Sequence, residues 1–387
     1  MKRGFALFLC VVLLMAGCSA APGEVPQTVN LSSEAVPFYR GSIDNVSEIT
    51  LYYKDGQTDI PYVDMDTVRE VAIDAQRYLE DDGYQLTMET DGKMVDFVRE
   101  NGSRVSIDFD ESSIGWDDYN LFTTASYAQQ QLDVLSNTGL DENGEPELFQ
   151  RGDSSFVRRG ESIGLYFEDF FIELIYEDGK GYMPLQTFSD LFLAYFYINL
   201  AYNGEAVFMI EATDLGDMRE TYYSVEPRER SAELARFNYV ETCLSLQFNY
   251  GLKDEHDIPS FGTLFELTGI DQAMQSTDAL EANVALSDVI NGYIDDLHSA
   301  FVFASPYAGD VAVEPNVQSL SANRIIGHAQ RLSAAAREYF PDGMRFYQEI
   351  GNTAYISFNS FTADYDNDYY GALASGEPIA GTIGIIM

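Results

Sequence analysis

The chain has 387 residues, of which 46% are apolar, and its 63 acidic and 22 basic residues give a formal net charge of −41. The apolar share is enough for buried cores, which excludes an intrinsically disordered chain, and the length predicts two or three domains. The strongly acidic balance repels anionic polymers, which excludes nucleic acid as a partner.

An export signal is the first predicted element. Lys2 and Arg3 precede an apolar run over residues 5–15, which is too short to remain in a bilayer as a spanning helix. The run leads through Met-Ala-Gly to Cys18, and this layout resembles the lipobox of bacterial lipoproteins. The resemblance implies that residues 1–17 are a lipoprotein signal peptide, that Cys18 carries lipid, and that the protein is exported and anchored to the outer face of the bacterial cell membrane. An ordinary signal peptide with an incidental cysteine is the alternative.

A flexible tether is predicted next, over residues 18–37, because this stretch is small, polar and contains prolines. It would separate the lipid on Cys18 from the folded body. Cleavage after residue 17 also removes Lys2 and Arg3, so the mature chain carries a net charge near −43. Such acidity keeps an exported protein soluble but identifies no ligand.

An internal repeat over residues 38–212 predicts a repeated α+β accessory domain. Residues 62–68 match residues 182–188, and each copy follows an Asp-Gly turn and precedes a helix-like stretch. A strand, a turn with Asp-Gly or Asn-Gly, and a final strand complete each copy. The predicted unit is therefore strand, tight turn, strand, helix, strand, turn, strand.

The repeat unit resembles the small repeated domain at the N-terminus of copper amine oxidases. The motif of that domain, Val-Pro-Leu-Arg before a helix, survives best at residues 183–186 as Met-Pro-Leu-Gln and is degenerate at residues 63–66. The resemblance implies an accessory or binding module, and nothing in the repeat suggests copper or catalysis.

A linker is predicted over residues 213–230, which are charged and contain Pro227. Residues 231–387 then form the second region. Apolar residues at steps of three and four predict three amphipathic helices in it, over residues 231–249, 278–301 and 321–339. Alternating residues on both sides of Gly351 and Asn352 predict a hairpin.

Two motifs in this region resemble landmarks of one enzyme family. Residues 290–301 form a helix-like stretch that ends in Ile-Asp-Asp-Leu-His-Ser-Ala-Phe, and residues 351–361 read Gly-Asn-Thr-Ala-Tyr-Ile-Ser-Phe-Asn-Ser-Phe. In this order they resemble the start of the catalytic region in the tail-specific, or C-terminal-processing, serine peptidases. The resemblance is closest to the branch of the tricorn core and covers roughly residues 230–387.

The family resemblance implies serine peptidase chemistry with a peptide or protein substrate. In the tricorn branch the histidine of the first landmark is the general base, and His298 matches it; an imidazole suits this role because its pKa lies near neutral pH. In another branch a lysine is the base. The alternative for His298 is a structural role at a helix C-terminus, where the dipole favours a cation.

A departure from the family lies at residues 381–387, where the sequence stops within an apolar run. The family's Asn-Gly-Gly-Gly turn and the serine beyond it do not occur before this point. Since an exposed apolar end is unusual for a natural domain, we expect residues 231–387 to be the N-terminal part of an incomplete α/β serine peptidase domain. We expect this fragment to be inactive alone.

Other motifs predict structure rather than chemistry. Residues 160–164 match Gly-x-Ser-x-Gly, but a strand-like stretch follows where a nucleophile elbow needs a helix. Residues 364–368 have the opening spacing of an EF-hand loop without its glycine. Cys243 lies among apolar residues, which predicts a buried, unreactive thiol rather than a nucleophile. We expect no metal or other cofactor.

The sequence thus predicts an α+β protein and a membrane-anchored, extracytoplasmic serine-type peptidase of the tail-specific family. The alternative is a non-catalytic, surface-binding lipoprotein that uses the repeated domain to recognise a cell-wall polymer or a protein. Reactivity toward a serine-directed probe separates the two.

Overall fold

A mixed α+β architecture, as predicted, is present in the computed structural model. The structure describes residues 29–54, 56–79, 83–123, 160–211, 214–296, 299–339 and 347–356, together with four two-residue strands between residues 130 and 156.

Strands dominate the N-terminal half. They are β1 Leu31–Arg40, β2 Val46–Lys54, β3 Tyr62–Asp64, β4 Leu86–Asp91, β5 Met94–Arg99, β6 Arg104–Asp108, β7 Ser113–Trp116, β8 Gln130–Gln131, β9 Gly139–Leu140, β10 Pro146–Glu147, β11 Ser155–Phe156, β12 Ile163–Tyr166, β13 Ile175–Glu177, β14 Lys180–Pro184, β15 Ile198–Tyr202 and β16 Val207–Glu211. The helices of this half are α1 Met65–Tyr78, α2 Tyr119–Thr123, a 3-10 turn Phe167–Phe170, and a continuous stretch of α3 Leu185–Phe188, a π-helix Ser189–Leu193 and a 3-10 turn Ala194–Phe196.

The two matching segments of the repeat are neighbours in a seven-stranded sheet of order β13-β14-β3-β2-β1-β16-β15. β3 and β14 run antiparallel, with Met183 opposite Val63. Each strand leads directly into a helix. At the start of α1 the Asp64 carboxylate accepts a hydrogen bond from the Thr67 N–H at 2.8 Å, whereas Pro184 occupies the equivalent position before α3.

The later strands of the two copies have different partners. β15 and β16 remain in the seven-stranded sheet, where β16 pairs parallel with β1. β4 and β5 instead belong to a five-stranded antiparallel sheet of order β12-β7-β6-β5-β4. The two copies therefore share the predicted order of elements but not the sheet that completes them.

The C-terminal half is mainly helical. Its elements are a 3-10 turn Gly216–Met218, α4 Arg219–Tyr222, α5 Ala232–Asn249, α6 Phe261–Thr268, α7 Asp271–Met274, α8 Ala279–Val289, a π-helix Ile290–Ile294, a 3-10 turn Pro306–Ala308, α9 Leu320–Tyr339, β17 Tyr347–Ile350 and β18 Thr353–Ile356. The predicted first and third amphipathic helices are confirmed by α5 and α9. The second was predicted too long. Asp295 turns into the left-handed region at φ 46° and ends the helix after Ile294, well before residue 301.

One apolar core joins both sheets to α5. Phe192 lies at its centre, with ring centroids 6.0 Å from Phe97 of β5 and 5.6 Å from Phe188 of α3. Val240 and Leu244 of α5 belong to the same buried cluster. The helical half is therefore packed onto the sheets through α5 rather than joined to them only by the chain.

The predicted tether is shorter than expected. β1 begins at Leu31, inside residues 18–37, and pairs along its length with β2. Val36 and Phe38 are buried and Pro37 between them is exposed, which is the alternation of a half-buried strand. The prediction gave weight to the serines and prolines of this stretch and missed that alternation.

The predicted linker is also packed. Within residues 214–230 the buried apolar side chains contact Phe208 of β16 and are Leu215, Met218 and Tyr222. The prediction relied on the many charged residues and on Pro227. Except for Arg230, which is buried, the charged residues described in this segment are exposed, so the segment covers the sheet instead of separating two bodies.

Candidate functional site

The first family landmark follows α8. The π-helix Ile290–Ile294 continues α8, and the chain then leaves the helical path at Asp295. His298, the candidate general base, lies outside the described residues, as does Cys18, the predicted lipidation site. The helix ends at Ile294, four residues before His298, and both roles predicted for His298, general base and structural residue at a helix C-terminus, stay predictions.

Two carboxylates hold the described part of this landmark. Asp295 accepts a hydrogen bond from the Ser319 hydroxyl at 2.6 Å and another from the Ser321 hydroxyl at 3.0 Å. These bonds, led by that from Ser319, lower the pKa of Asp295. Asp296 accepts from the Ser299 backbone N–H at 2.9 Å and from its hydroxyl at 2.8 Å. The end of the π-helix is thereby tied to the start of α9.

The second landmark begins with the predicted hairpin. β17 and β18 pair antiparallel, with Ile350 opposite Thr353 across the turn at Gly351. Gly351 has φ 64°, the left-handed conformation that such a tight turn requires. The hairpin is confirmed over residues 347–356, and the rest of the landmark lies outside the described residues.

A cavity of about 420 Å³ lies between α5 and α8, beside the π-helix that follows α3. Its apolar wall includes Leu246, Met274 and Leu286. Its polar wall consists of side chains from four separate segments, which are Gln186, Asp190, Arg230, Asn238, Glu241, Thr242, Ser245, Asn283 and Ser305. A cavity that combines apolar surface with several polar side chains is typical of small-molecule sites.

Two buried carboxyl groups line this cavity, Asp190 at 8% and Glu241 at 2% exposure. Burial raises the pKa of Asp190 to about 7, although hydrogen bonds from Gln186 and Ser245 oppose the shift. Burial, and next the negative charge of Asp190, also raises the pKa of Glu241 well above its usual value. The Thr187 hydroxyl donates to Oε2 of Glu241 at 2.8 Å, while Oε1 has no hydrogen-bond partner among the described residues.

A buried guanidinium, that of Arg230, lines the same cavity at 6% exposure. Its Nη2 donates to the Ser276 carbonyl, and its Nε has no hydrogen-bond partner within the described part of the chain. No carboxylate among the described residues forms a salt bridge with Arg230. Burial lowers the pKa of Arg230, and the more distant charge of Asp278 only partly offsets this. The cavity therefore combines a carboxyl pair and a guanidinium, each incompletely partnered.

None of these three residues is among the site residues predicted from the sequence. The available signal was a charge inside an apolar pattern. Glu241 is next to Val240 and three residues before Leu244, on the buried stripe of α5, and Asp190 lies within the apolar run of the 185–196 stretch. Such a carboxyl must be protonated, paired or bound when the helix packs, which marks it as a candidate site.

Two of the motifs for which a structural role was predicted lie among the described residues, and their structure is consistent with that role. Cys243 is buried at 8% exposure, and burial raises the pKa of its thiol to about 11, as expected of an unreactive cysteine. β12 follows Ser162 directly, so residues 160–164 lack the helix of a nucleophile elbow. Residues 364–368 lie outside the described residues.

The described residues contain neither a metal-binding cluster nor a membrane-spanning helix. There, no three or more His, Cys, Asp or Glu side chains come together in a way that could hold a metal ion. None of the helices described combines the length and the apolar character needed to cross a bilayer.

Comparison with known proteins returns no match, whether with protein-family models, with curated proteins or with solved structures.

Proposed function

We propose that this chain belongs to an exported, membrane-anchored serine peptidase that resembles the tail-specific family. The observation that carries the proposal is the ordered pair of landmarks, at residues 290–301 and 351–361, on a chain with an N-terminal export signal. In this proposal Cys18 carries the lipid anchor and the sheet-rich half is the accessory module. The N-terminal part of the α/β peptidase domain is supplied by residues 231–387.

The exposed surface of α9 supports this arrangement. Four apolar side chains of α9 are between 49% and 70% exposed, and none of the described residues covers them. They are Leu320, Ile325, Ile326 and Leu332. Most described residues of α9 are exposed, on every side of the helix, which leaves room for another part of the protein to pack against it. The proposed peptidase sheet, beyond the hairpin β17–β18, is such a part.

The chemistry follows from the roles that the resemblance assigns. A serine encoded beyond residue 387 attacks the peptide carbonyl, and a base removes its hydroxyl proton. The base is His298, or a lysine further along the chain. In this proposal the turn formed by Asp295 and Asp296 orients the chain that leads into His298, because Ser299 holds Asp296 locally and Ser319, 24 residues away, holds Asp295.

The second candidate is a surface-binding lipoprotein without catalysis. Large aromatic side chains on the surface of the sheet-rich half favour it: Tyr166 is 57% exposed, Phe171 73% and Tyr197 75%. Such side chains are common in contact surfaces because they bury a large area with few rotatable bonds. A binding protein would retain these contacts and show no serine-dependent hydrolysis.

Peptide hydrolysis by the full-length gene product tests the peptidase proposal. If His298 is the base, His298→Ala lowers kcat/KM by about 10²–10⁴-fold and abolishes the acidic limb of the pH profile. His256→Ala is the matched control, since His256 lies exposed in the segment between α5 and α6. Unchanged activity in His298→Ala assigns the base to a lysine. Absence of hydrolysis by the folded wild-type protein supports the binding protein instead.

A further inference from the structure

We propose that the cavity between α5 and α8 binds a small zwitterion of the amino-acid or short-peptide class. Its ammonium group would contact the carboxyl pair Asp190 and Glu241, and its carboxylate would contact Arg230. This inference does not depend on the peptidase proposal, because it requires neither His298 nor a serine nucleophile.

The anionic side of the cavity calls for a cation. Oε1 of Glu241 is buried and has no donor among the described residues, and Asp190 adds a second carboxyl beside it. A buried carboxylate is strongly destabilised unless it is paired or protonated. An ammonium group supplies several N–H donors and a positive charge, so it satisfies both groups at once.

The cationic side calls for an anion. Arg230 is buried, forms no salt bridge with the described carboxylates, and has an unpartnered Nε. Its Nη2 is fixed by the Ser276 carbonyl, and its backbone N–H donates to the Thr277 carbonyl at 2.9 Å, so the guanidinium is held in place. A guanidinium matches a carboxylate in charge and in planar geometry.

The remaining lining of the cavity matches the rest of the ligand. Leu246, Met274, Leu286 and Ile290 provide apolar surface, and Asn238 and Asn283 provide amide groups. The volume of about 420 Å³ lies within the range of small-molecule sites. A dipeptide with apolar side chains presents an ammonium group, an amide, apolar groups and a carboxylate, which correspond to these walls.

Calorimetric titration of the purified full chain with L-leucyl-L-leucine tests the proposal. We expect saturable binding that N-acetylation or C-terminal amidation of the dipeptide weakens by at least about tenfold, because each change removes one charge-assisted contact. Glu241→Gln should weaken binding of the dipeptide by a similar factor and have less effect on the N-acetylated form. Arg230→Gln should likewise weaken binding of the free dipeptide and have less effect on the C-amidated form.

Matched control variants are Glu229→Gln and Arg236→Gln, both at exposed positions next to or on α5, and they should bind as the wild type does. If Arg230→Gln fails to fold, the amidated dipeptide with the wild-type protein supplies the same comparison. The proposal is overturned if the dipeptide shows no saturable binding, if both blocked forms bind as tightly as the free one, or if Glu241→Gln leaves the affinity unchanged.

Discussion

At the scale of single residues, burial decides the chemistry of the groups that stand out. Asp190, Glu241, Arg230 and Cys243 all have a pKa shifted by burial toward the neutral form. The thiol is inert for that reason, whereas the carboxyl pair and the guanidinium line the cavity between α5 and α8. Burial thus makes Cys243 unreactive, whereas at the cavity it marks a candidate binding site.

The carboxyl pair makes stability depend on pH. Because its pKa values are raised in the folded state, the native protein binds more protons than the unfolded chain above about pH 4, and the free energy of unfolding falls as the pH rises to about 7. Urea unfolding across this pH range should show a smaller decrease in the free energy of unfolding for Glu241→Gln, because its amide has no proton to lose. Glu229→Gln, an exposed control, should keep the wild-type fall. Equal falls in all three proteins would mean that the pair does not titrate in this way.

The thiol of Cys243 should resist alkylation. Only the thiolate reacts, and a pKa near 11 leaves very little of it at neutral pH. Peptide mapping after iodoacetamide treatment should find Cys243 unmodified in the native protein and modified in denaturant. Rapid modification of the native protein would show that the site is open.

At the scale of elements, the helix periods were predicted better than the segment ends. α5 and α9 were found within a residue or so of the prediction because their apolar residues recur at helical steps and Ser231 caps α5. The helix containing α8 was predicted to extend too far toward the C-terminus, because nothing in the sequence pattern marks Asp295 as its end. The hydrogen bonds from Ser319 and Ser321 that hold Asp295 are tertiary and have no local signal.

The packing of α5 onto the sheets should dominate the stability of the helical half. Leu244 is fully buried in the core that joins both sheets, so Leu244→Ala should lower the free energy of unfolding by about 2–5 kcal/mol. Leu267 on α6 is 82% exposed, and Leu267→Ala should change it by no more than about 0.5 kcal/mol. Chemical denaturation measures both. Similar small effects would mean that α5 does not share the core of the sheets.

At the scale of the whole molecule, the α+β class and the local order of the repeat could be predicted, while the partners of the strands could not. The first copy gives β4 and β5 to the five-stranded sheet and the second copy gives β15 and β16 to the seven-stranded sheet. Turn and strand signals act over a few residues, whereas this choice depends on which apolar faces meet across the core. The cavity was missed for the same reason, since its charged groups come from segments distant in sequence.

The most direct measurement of the central claim is labelling of the full-length gene product with a fluorophosphonate probe, which reacts with activated serines. We predict one labelled serine, located after a glycine-rich turn beyond residue 387, with labelling abolished when that serine is replaced by alanine. Cooperative unfolding would show that the preparation is folded. Absence of labelling in such a preparation would contradict the peptidase account and favour the surface-binding lipoprotein.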